Sequence, residues 1–326
     1  MKWYSKILYD SIGWALQLLA LMPWWVLYLH ADVIYFIAYH IVGYRRTVVR
    51  QNLAECFPEK SDSERKEIER AFYRHLSDYF VETVKLLHIS DDDMRQRMVF
   101  KNADIITDAL DAGQSIVLYA AHYGNWEWVT SVTLWFDSKR YSDAVQGQVY
   151  HPLENEWFDS FFLRLRQRFN TECISWRRIL REMIMREREG RHLAIGFISD
   201  QHPLSNDEGH VLDFLHHPTA FLTGAEAIGR KLHCRAAFFD VRKLGRGRYE
   251  CTLVPMSNDI AGEPRGAITT RYARLLEKRI QEEPAYWLWT HKRWKRQVTF
   301  PDGYTRDNEL NYYAQAGKTP SNIKQK

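Results

Sequence analysis

Residues 115–127 read Ser115-Ile-Val-Leu-Tyr-Ala-Ala121 and then His122-Tyr-Gly-Asn-Trp-Glu127. The first half is a short apolar run, which predicts a buried strand, and polar side chains follow it at once. Open α/β sheets bind ligands beyond the carboxyl ends of their strands, so His122 stands where a functional side chain is expected. The stretch therefore predicts an α/β sheet with a candidate site at the end of one strand.

The polar half of this stretch can pair an imidazole with a carboxylate. Gly124 permits a sharp bend, so His122 in the turn can meet Glu127 in the first turn of a following helix. A carboxylate beside a histidine fixes its tautomer and stabilises the imidazolium that forms when the ring takes a proton. Such a pair suits general-base activation of a hydroxyl that attacks a carbonyl carbon. The spacing alone fits a structural histidine as well.

The rest of the chain alternates short apolar runs with helical patterns, which predicts an α/β fold with a mixed central sheet flanked by helices. Gly245 and Gly247 lie in the turn of an expected strand pair. A helical region from 52 to 88 is broken at 57–60, and Ser61 or Ser63 is expected to cap its second half. Further strands are predicted at 144–150, 193–199, 236–241 and 249–254, and further helices at 125–136, 154–169, 177–189, 219–231 and 269–282.

The first 45 residues are the most apolar part of the chain. Apolar residues run from Ile12 to Leu29, interrupted by Gln17 and Pro23, and a second run spans residues 33–43. Three arrangements are open: one membrane-spanning helix, a shallow helical hairpin, or two helices packed on the domain. We predict a helical membrane anchor over 1–45, an α/β domain over 46–304 and a loose polar tail over 305–326.

Composition excludes several other classes of protein. A mean hydropathy of −0.46 argues against a polytopic membrane protein. The 45 Lys and Arg against 41 Asp and Glu leave a charge of only +4, and no nucleic-acid-reading motif is present, so no nucleic-acid partner is expected. The four cysteines form no CxxC pair, no nucleophile elbow occurs, and the histidines between 192 and 233 fit no simple zinc spacing. We expect neither a metal nor a cofactor.

The complete string His122-Tyr-Gly-Asn-Trp-Glu127 resembles the His-x-Gly-Asn-x-Glu block of the bacterial lipid A biosynthesis acyltransferase family. That family belongs to a wider group of glycerolipid acyltransferases, which carry Asp where this string has Glu127, so Glu127 favours the lipid A branch. The segment Trp287-Leu-Trp289-Thr-His291-Lys-Arg293-Trp294-Lys295 resembles the closing motif of that family. Softer likenesses lie at Arg50–Leu53 with Phe57-Pro58, Tyr150–Pro152 with Asn155 and Asp159, Arg166–Phe169, Asp200-Gln201, and Phe214 with Pro218-Thr219.

This resemblance implies transfer of a fatty acyl chain from acyl carrier protein to a hydroxyl of a lipid A precursor, at the bacterial inner membrane and on its cytoplasmic side. His122 would be the general base, Glu127 would orient it, Arg166 would face the oxyanion, and no acyl-enzyme would form. Residues expected to bind substrate are Asn125, Tyr150, Arg164, Arg168, Asp200 and Gln201. The partners are then acyl carrier protein, a lipid acceptor and the membrane.

Two departures from the family pattern concern the substrate. His151 stands where the family has Arg, and the expected Phe-Phe-Gly corner reads Phe214-Leu215-His216. The same chemistry on another acceptor, a lysophospholipid or an amino-acid lipid, is therefore an alternative. A non-catalytic membrane protein is a second alternative, and it would have no need of His122.

Overall fold

The computed structural model describes residues 3–137, 139–203 and 210–316. In this part of the chain the main sheet has seven strands in the order β1-β9-β8-β2-β5-β3-β4, and β6 and β7 form a separate hairpin. The strands are β1 (Met98–Lys101), β2 (Ile116–Ala120), β3 (Val145–Tyr150), β4 (Glu172–Ser175), β5 (Leu193–Ile198), β6 (Val211–Phe214), β7 (His217–Ala220), β8 (Arg235–Gly245) and β9 (Arg248–Ser257). The helices are α1 (Trp3–Leu21), α2 (Trp24–Tyr35), α3 (Arg46–Cys56), α4 (Asp62–Lys85), α5 (Asp91–Arg97), α6 (Asp104–Asp111), α7 (Glu156–Arg166), α8 (Ile179–Arg188), α9 (Gly224–Lys231), α10 (Ala267–Glu282) and α11 (Glu309–Ala316).

The main sheet is mixed, as predicted. Strand β2 lies between β5 and β8 and runs parallel to both, whereas β8 and β9 pair antiparallel around the turn at Gly245 and Gly247. All five residues of β2 are buried, because the sheet is covered on both faces. The carboxyl ends of β2 and β5 therefore lie side by side at one edge, where their following residues meet.

The predicted helix over 125–136 is instead a 3₁₀ segment, Trp128–Trp135. It contains the β-branched residues Val129, Thr130, Val132 and Thr133, which lose side-chain freedom in an α-helix. The Thr130 hydroxyl also donates to the carbonyl three residues earlier, Glu127, at 3.0 Å. Local side-chain hydrogen bonds of this kind compete with the α-helical pattern.

The predicted helix over 219–231 was wrong in its first five residues. Residues 211–220 form the β6–β7 hairpin, and α9 begins only at Gly224. Leu215 and His216, between the two strands, have φ of 51° and 68°. Positive φ at both central positions is the geometry of the two-residue hairpin turn, which explains why glycine would suit position 216. The Leu215 N–H donates to the buried Glu277 at 2.8 Å, which helps to hold this turn.

Both N-terminal helices pack on the domain. Pro23 separates α1 from α2, Leu27 and Ala31 of α2 contact Val81 of α4, and Tyr9 of α1 stacks on Trp157 at 5.6 Å. A π-helical turn, Phe36–Val42, continues α2. The segment Trp24–Val42, 19 residues with mean hydropathy 1.4, is by length and composition able to cross a membrane. Much of its apolar surface is exposed, as at Trp25, whose exposed fraction is 68%.

Ser61, one of the two serines predicted as the cap, is the N-cap of α4, and it forms a capping box. The Ser61 hydroxyl accepts the N–H of Glu64, and the Glu64 carboxylate accepts the N–H of Ser61 at 2.7 Å. The buried residues of α4 include the polar side chains of His75, Asp78 and Glu82. Buried polar groups require partners, and α4 therefore carries hydrogen bonds into its neighbours.

The polar tail predicted over 305–326 is ordered in its first part. Helix α11 packs against α10, with the Glu309 carboxylate accepting two hydrogen bonds from Arg274 at 2.7 and 2.5 Å. The Tyr313 hydroxyl also accepts the N–H of Val211 at 2.8 Å. The prediction of a loose tail is therefore wrong for residues 305–316, and residues 317–326 lie outside the described part of the chain.

Candidate active site

The carboxyl ends of β2 and β5 bring His122 and Asp200 together. The His122 Nδ1 atom lies 2.7 Å from Asp200 Oδ1, and the backbone N–H of His122 donates to Asp200 Oδ2 at 2.9 Å. Asp200 is 3% exposed, whereas the His122 side chain keeps an exposed fraction of 19%. The carboxylate is therefore a buried support, and the imidazole is the group that a substrate can reach.

The second ring nitrogen of His122 faces Gln201. The Gln201 amide donates to His122 Nε2 at 3.2 Å, while Nδ1–H donates to the Asp200 carboxylate. This pairing requires the neutral tautomer with its proton on Nδ1. In that tautomer the Nε2 lone pair accepts the Gln201 hydrogen bond and is the basic position of the ring.

His122 and Trp287 keep the Asp200 carboxylate ionised. Burial by itself would raise the pKa of Asp200, but the adjacent His122 and hydrogen bonds to the carboxylate lower that pKa below its ordinary value. One of these bonds comes from the Trp287 indole N–H at 2.8 Å. The aspartate is therefore an anion that can stabilise an imidazolium beside it.

The expected pairing of His122 with Glu127 is not the one in the structure. Arg166 donates twice to Glu127, from Nε at 2.9 Å and from Nη2 at 2.7 Å. Glu127 is almost fully buried, and its negative charge is neutralised by this bidentate pair with Arg166. The parallel pairing of β2 with β5 places Asp200, at the end of β5, next to His122, at the end of β2. The carboxylate that reaches His122 is therefore selected by strand pairing and not by the local spacing of Glu127.

Asn125 supports the turn and is not exposed to a substrate. Its side chain is fully buried, Nδ2 donates to Glu82 at 2.8 Å, and Oδ1 accepts the N–H of Trp128 at 3.3 Å. Glu82 also accepts the Tyr249 hydroxyl at 2.8 Å, and His75 of the same helix lies 3.2 Å from the Gly124 carbonyl. The contacts of Asn125 in the structure are therefore structural, and its expected role in substrate binding stays a prediction.

The arginines at 164 and 168 lie apart from the histidine. Arg164 is exposed on α7, and Arg168 donates to the Ile89 carbonyl and to Asp91, both at 3.0 Å. Tyr150 ends β3 and is half-buried, and burial raises the pKa of its hydroxyl. The structure thus joins only Asp200 and Gln201 of the expected substrate-binding residues directly to His122.

The closing aromatic segment, which the sequence analysis quotes as a motif without giving its residues a role, contributes residues next to the site. Asn52 of α3 donates to the carbonyls of Trp289 and His291 at 2.9 and 3.1 Å, which holds this segment against the sheet edge. Arg293 is buried, donates to the Ala220 carbonyl at 2.6 Å, and lies near Asp200. Burial lowers the pKa of His291 to about 4, so that this second histidine is neutral. The motif resemblance was the signal that could have found these residues.

The lowered pKa values of two histidines, the buried His210 and the half-buried His291, predict that the free energy of unfolding depends on pH. Burial lowers the pKa of both His210 and His291 to about 4, whereas an unfolded histidine has a pKa of about 6.5. Between these values the unfolded chain binds more protons, so stability is full above about pH 6.5 and falls as the pH drops towards about 4. We expect a loss of up to about 1.4 kcal/mol per pH unit for each histidine.

Urea unfolding at a series of pH values measures this slope. The His210→Gln variant should lose less stability than the wild type over the same interval, because one depressed histidine is gone. Equal slopes in the two proteins would contradict the assignment of His210 as neutral in the folded state.

Over residues 3–137, 139–203 and 210–316, no group of three or more His, Cys, Asp and Glu side chains is placed to hold a metal ion. Fold and site together define an α/β protein with a carboxylate-held histidine at the edge of its sheet.

Comparison with known proteins names the family. The family model described as bacterial lipid A biosynthesis acyltransferase matches residues 4–296, and the chain belongs to this family. It is 23% identical over 259 residues to the lipid A biosynthesis palmitoleoyltransferase of Escherichia coli (strain K12), covering 77% of this chain and 79% of that protein. A lipid A biosynthesis acyltransferase of Shigella flexneri is similar to the same extent. Family membership indicates acyl transfer as the activity of this chain.

Proposed function

We propose that the chain transfers a fatty acyl group from an acyl carrier protein thioester to a hydroxyl of a lipid A precursor. The observation that carries the chemical step is the orientation of His122, whose Nδ1–H is held by Asp200 and whose Nε2 accepts only the Gln201 amide among the described residues. Family membership and the two lipid A relatives support the reaction and the class of acceptor.

In the proposed step, the acceptor hydroxyl displaces the Gln201 amide from Nε2 of His122. His122 takes the hydroxyl proton while the oxygen forms a bond to the thioester carbonyl carbon. The carbon–sulfur bond then breaks, the ester is complete, and the proton passes from His122 to the departing sulfur. Asp200 stabilises the imidazolium between these two transfers.

Arg166 is the proposed partner of the oxyanion. Glu127 engages its Nε and Nη2 atoms, so Glu127 acts through Arg166 by fixing the guanidinium, and Nη1 remains for the developing charge. Preorganised donors of this kind lower the barrier because they need no reorientation as charge develops.

The surface of the chain supports the proposed partners. Helix α8 and the residues before it expose four arginines, and an acidic carrier protein would be attracted to such a patch. These arginines are Arg177, Arg178, Arg181 and Arg188. The exposed apolar segment Trp24–Val42 supports attachment to a membrane, and we propose the bacterial inner membrane with the sheet domain on the cytoplasmic side.

The test uses membranes that carry the full chain and a radiolabelled acyl carrier protein thioester. A lipid A precursor and a lysophospholipid are offered separately, and His122→Ala membranes are the control. Label on the lipid A precursor that disappears in the control supports the proposal. Label only on the lysophospholipid would overturn the acceptor, and no label that depends on His122 on either lipid would overturn the reaction.

A further inference from the structure

The two N-terminal helices and the π-helical turn after them direct an apolar face away from the domain. Exposed apolar side chains recur there at steps of three and four residues, which places those of each helix on one stripe. They include Trp14 and Leu18 on α1, and Trp25, Leu29, Val33 and Ile41 on α2 and the π-helical turn. A contiguous exposed apolar stripe marks a surface that docks on something.

The opposite face of α2 is bound to the domain by charged groups. The Asp32 carboxylate accepts a hydrogen bond from Arg246, in the turn between β8 and β9, at 2.6 Å, and the same guanidinium lies 2.7 Å from Asp78 of α4. Arg74 of α4 lies over the ring of Tyr35, 5.3 Å from its centroid. Both contacts fall near the middle of the apolar segment, so the charged groups of the domain follow that segment wherever it goes.

These contacts favour a segment that lies in the membrane surface over one that crosses the membrane. A helix of 19 residues is about 28 Å long, and a hydrocarbon core is about 30 Å thick. A crossing segment would therefore carry Arg246, Asp78 and Arg74 to the centre of the hydrocarbon, where charged side chains are expensive. In the membrane surface the same groups stay on the water side while the stripe enters the lipid.

The corner between α1 and α2 is also held on the domain. The Lys85 ammonium of α4 donates to the carbonyls of Ala20 and Met22, both at 2.8 Å. The Trp24 indole N–H donates to Asp93 of α5 at 2.7 Å. A hairpin that crossed the bilayer twice would place this corner on the far side of the membrane, away from these partners.

Cations border the stripe at its carboxyl end. Arg45 is exposed and donates to the Thr290 carbonyl at 3.0 Å, which brings the closing basic segment to this end of the stripe. That segment exposes Lys292, Lys295 and Arg296. Cations beside an apolar face that enters the lipid attract anionic headgroups. The stripe and its border therefore fit a lipid surface that carries negative charge.

We propose that α1, α2 and the π-helical turn lie in one leaflet of a membrane with anionic lipid, with Arg45 and Lys292 at the level of the headgroups. The chain then does not cross the bilayer. The inference rests on the proposed function, because it specifies the geometry of the membrane attachment proposed there, and its tests do not require acyl transfer.

Cysteine labelling tests whether the segment crosses. Pro23→Cys and Thr47→Cys each add an exposed thiol, one at either end of the segment, to a Cys173→Ser chain. The three other thiols are buried, and burial raises their pKa, which slows their reaction. Spheroplasts of cells that produce the chain receive a membrane-impermeant maleimide, either intact or after solubilisation in detergent.

We expect no label at either position in intact spheroplasts and label at both positions in detergent. Label at one position alone in intact spheroplasts would overturn the proposal, because the two ends would lie on opposite sides of the membrane. Label at both positions in intact spheroplasts would support a single leaflet and would overturn the cytoplasmic side of the proposed function.

Vesicle binding tests the stripe. The full chain is diluted from detergent onto phosphatidylglycerol vesicles, and flotation separates bound from free protein. Trp25→Gln with Ile41→Gln is the test pair, and Leu180→Gln with Leu310→Gln, exposed on α8 and α11, is the matched control. We expect binding to fall at least about 10-fold in the test pair and to stay unchanged in the control pair. Thermal unfolding in detergent checks that both proteins are folded, and unchanged binding by a folded test pair would overturn the proposal.

The charged border is tested with a second pair of lysines. Lys292→Gln with Lys295→Gln should weaken binding to phosphatidylglycerol vesicles about 10-fold, whereas Lys231→Gln with Lys278→Gln, exposed elsewhere, should not. Equal binding of the unaltered chain to phosphatidylglycerol and phosphatidylcholine vesicles would overturn the anionic lipid. A dimer in detergent that the Trp25→Gln and Ile41→Gln pair dissociates would overturn the lipid surface and assign the stripe to a second copy of the chain.

Discussion

Replacing His122 by alanine should reduce the rate of acyl transfer by about 10²–10⁴-fold, the range that a positioned general base contributes. The reason is that Nε2 of His122 is the exposed basic nitrogen at the sheet edge, whereas burial keeps the pKa of the neighbouring His291 at about 4. Initial rates with saturating thioester and acceptor measure the effect on kcat.

His233→Asn is the control for this substitution. His233 is exposed, pairs with the Asp259 carboxylate, and has φ of 51°, a conformation that asparagine accepts. Its activity should match the wild type. A loss of less than tenfold in His122→Ala would contradict a general-base role for His122.

The second large effect separates Asp200 from Glu127. Asp200→Asn should lower kcat by about 10³–10⁴-fold, since an amide cannot stabilise the imidazolium and favours the wrong tautomer of His122.

Glu127→Gln is the companion variant, and its main expected effect is on stability. It removes a buried carboxylate from a bidentate pair and leaves Arg166 unpaired, which costs about 3–5 kcal/mol when a buried ion loses its partner. Thermal unfolding measures this loss, and activity should fall only through the displaced Arg166. A larger loss of kcat in Glu127→Gln than in Asp200→Asn would show that Glu127 is the working partner of His122.

The sequence predicted the central strands because their apolar runs are short, buried and bounded by turn residues. Strands β2, β3, β5, β8 and β9 lie within one residue of the predicted starts, and the β8–β9 pair was expected from Gly245 and Gly247. Strands β1 and β4 were missed because neither forms a continuous apolar run. Each has only four residues; β1 alternates buried and exposed residues, and β4 has one fully buried residue. The β6–β7 hairpin was missed because its turn has Leu215 and His216, not the usual glycine.

The candidate site was predictable in its position but not in its pairing. His122 follows from the end of a buried strand, which is local information. Its carboxylate is Asp200, 78 residues away, and only the parallel pairing of β2 with β5 brings the two together. Glu127 is the local choice by spacing, yet Arg166 engages it, and Asn125 turns inward to Glu82.

Helix α4 joins the N-terminal apolar segment to the catalytic turn. On one side the Tyr28 hydroxyl of α2 donates to Glu82 at 3.3 Å, and on the other Asn125 donates to the same carboxylate. Arg246 bridges Asp32 of α2 and Asp78 of α4 in the same way. These contacts fix the position of the turn after β2 relative to the segment 24–42. In the proposed reaction, an acceptor lipid would therefore present its hydroxyl at the distance from that segment at which His122 lies.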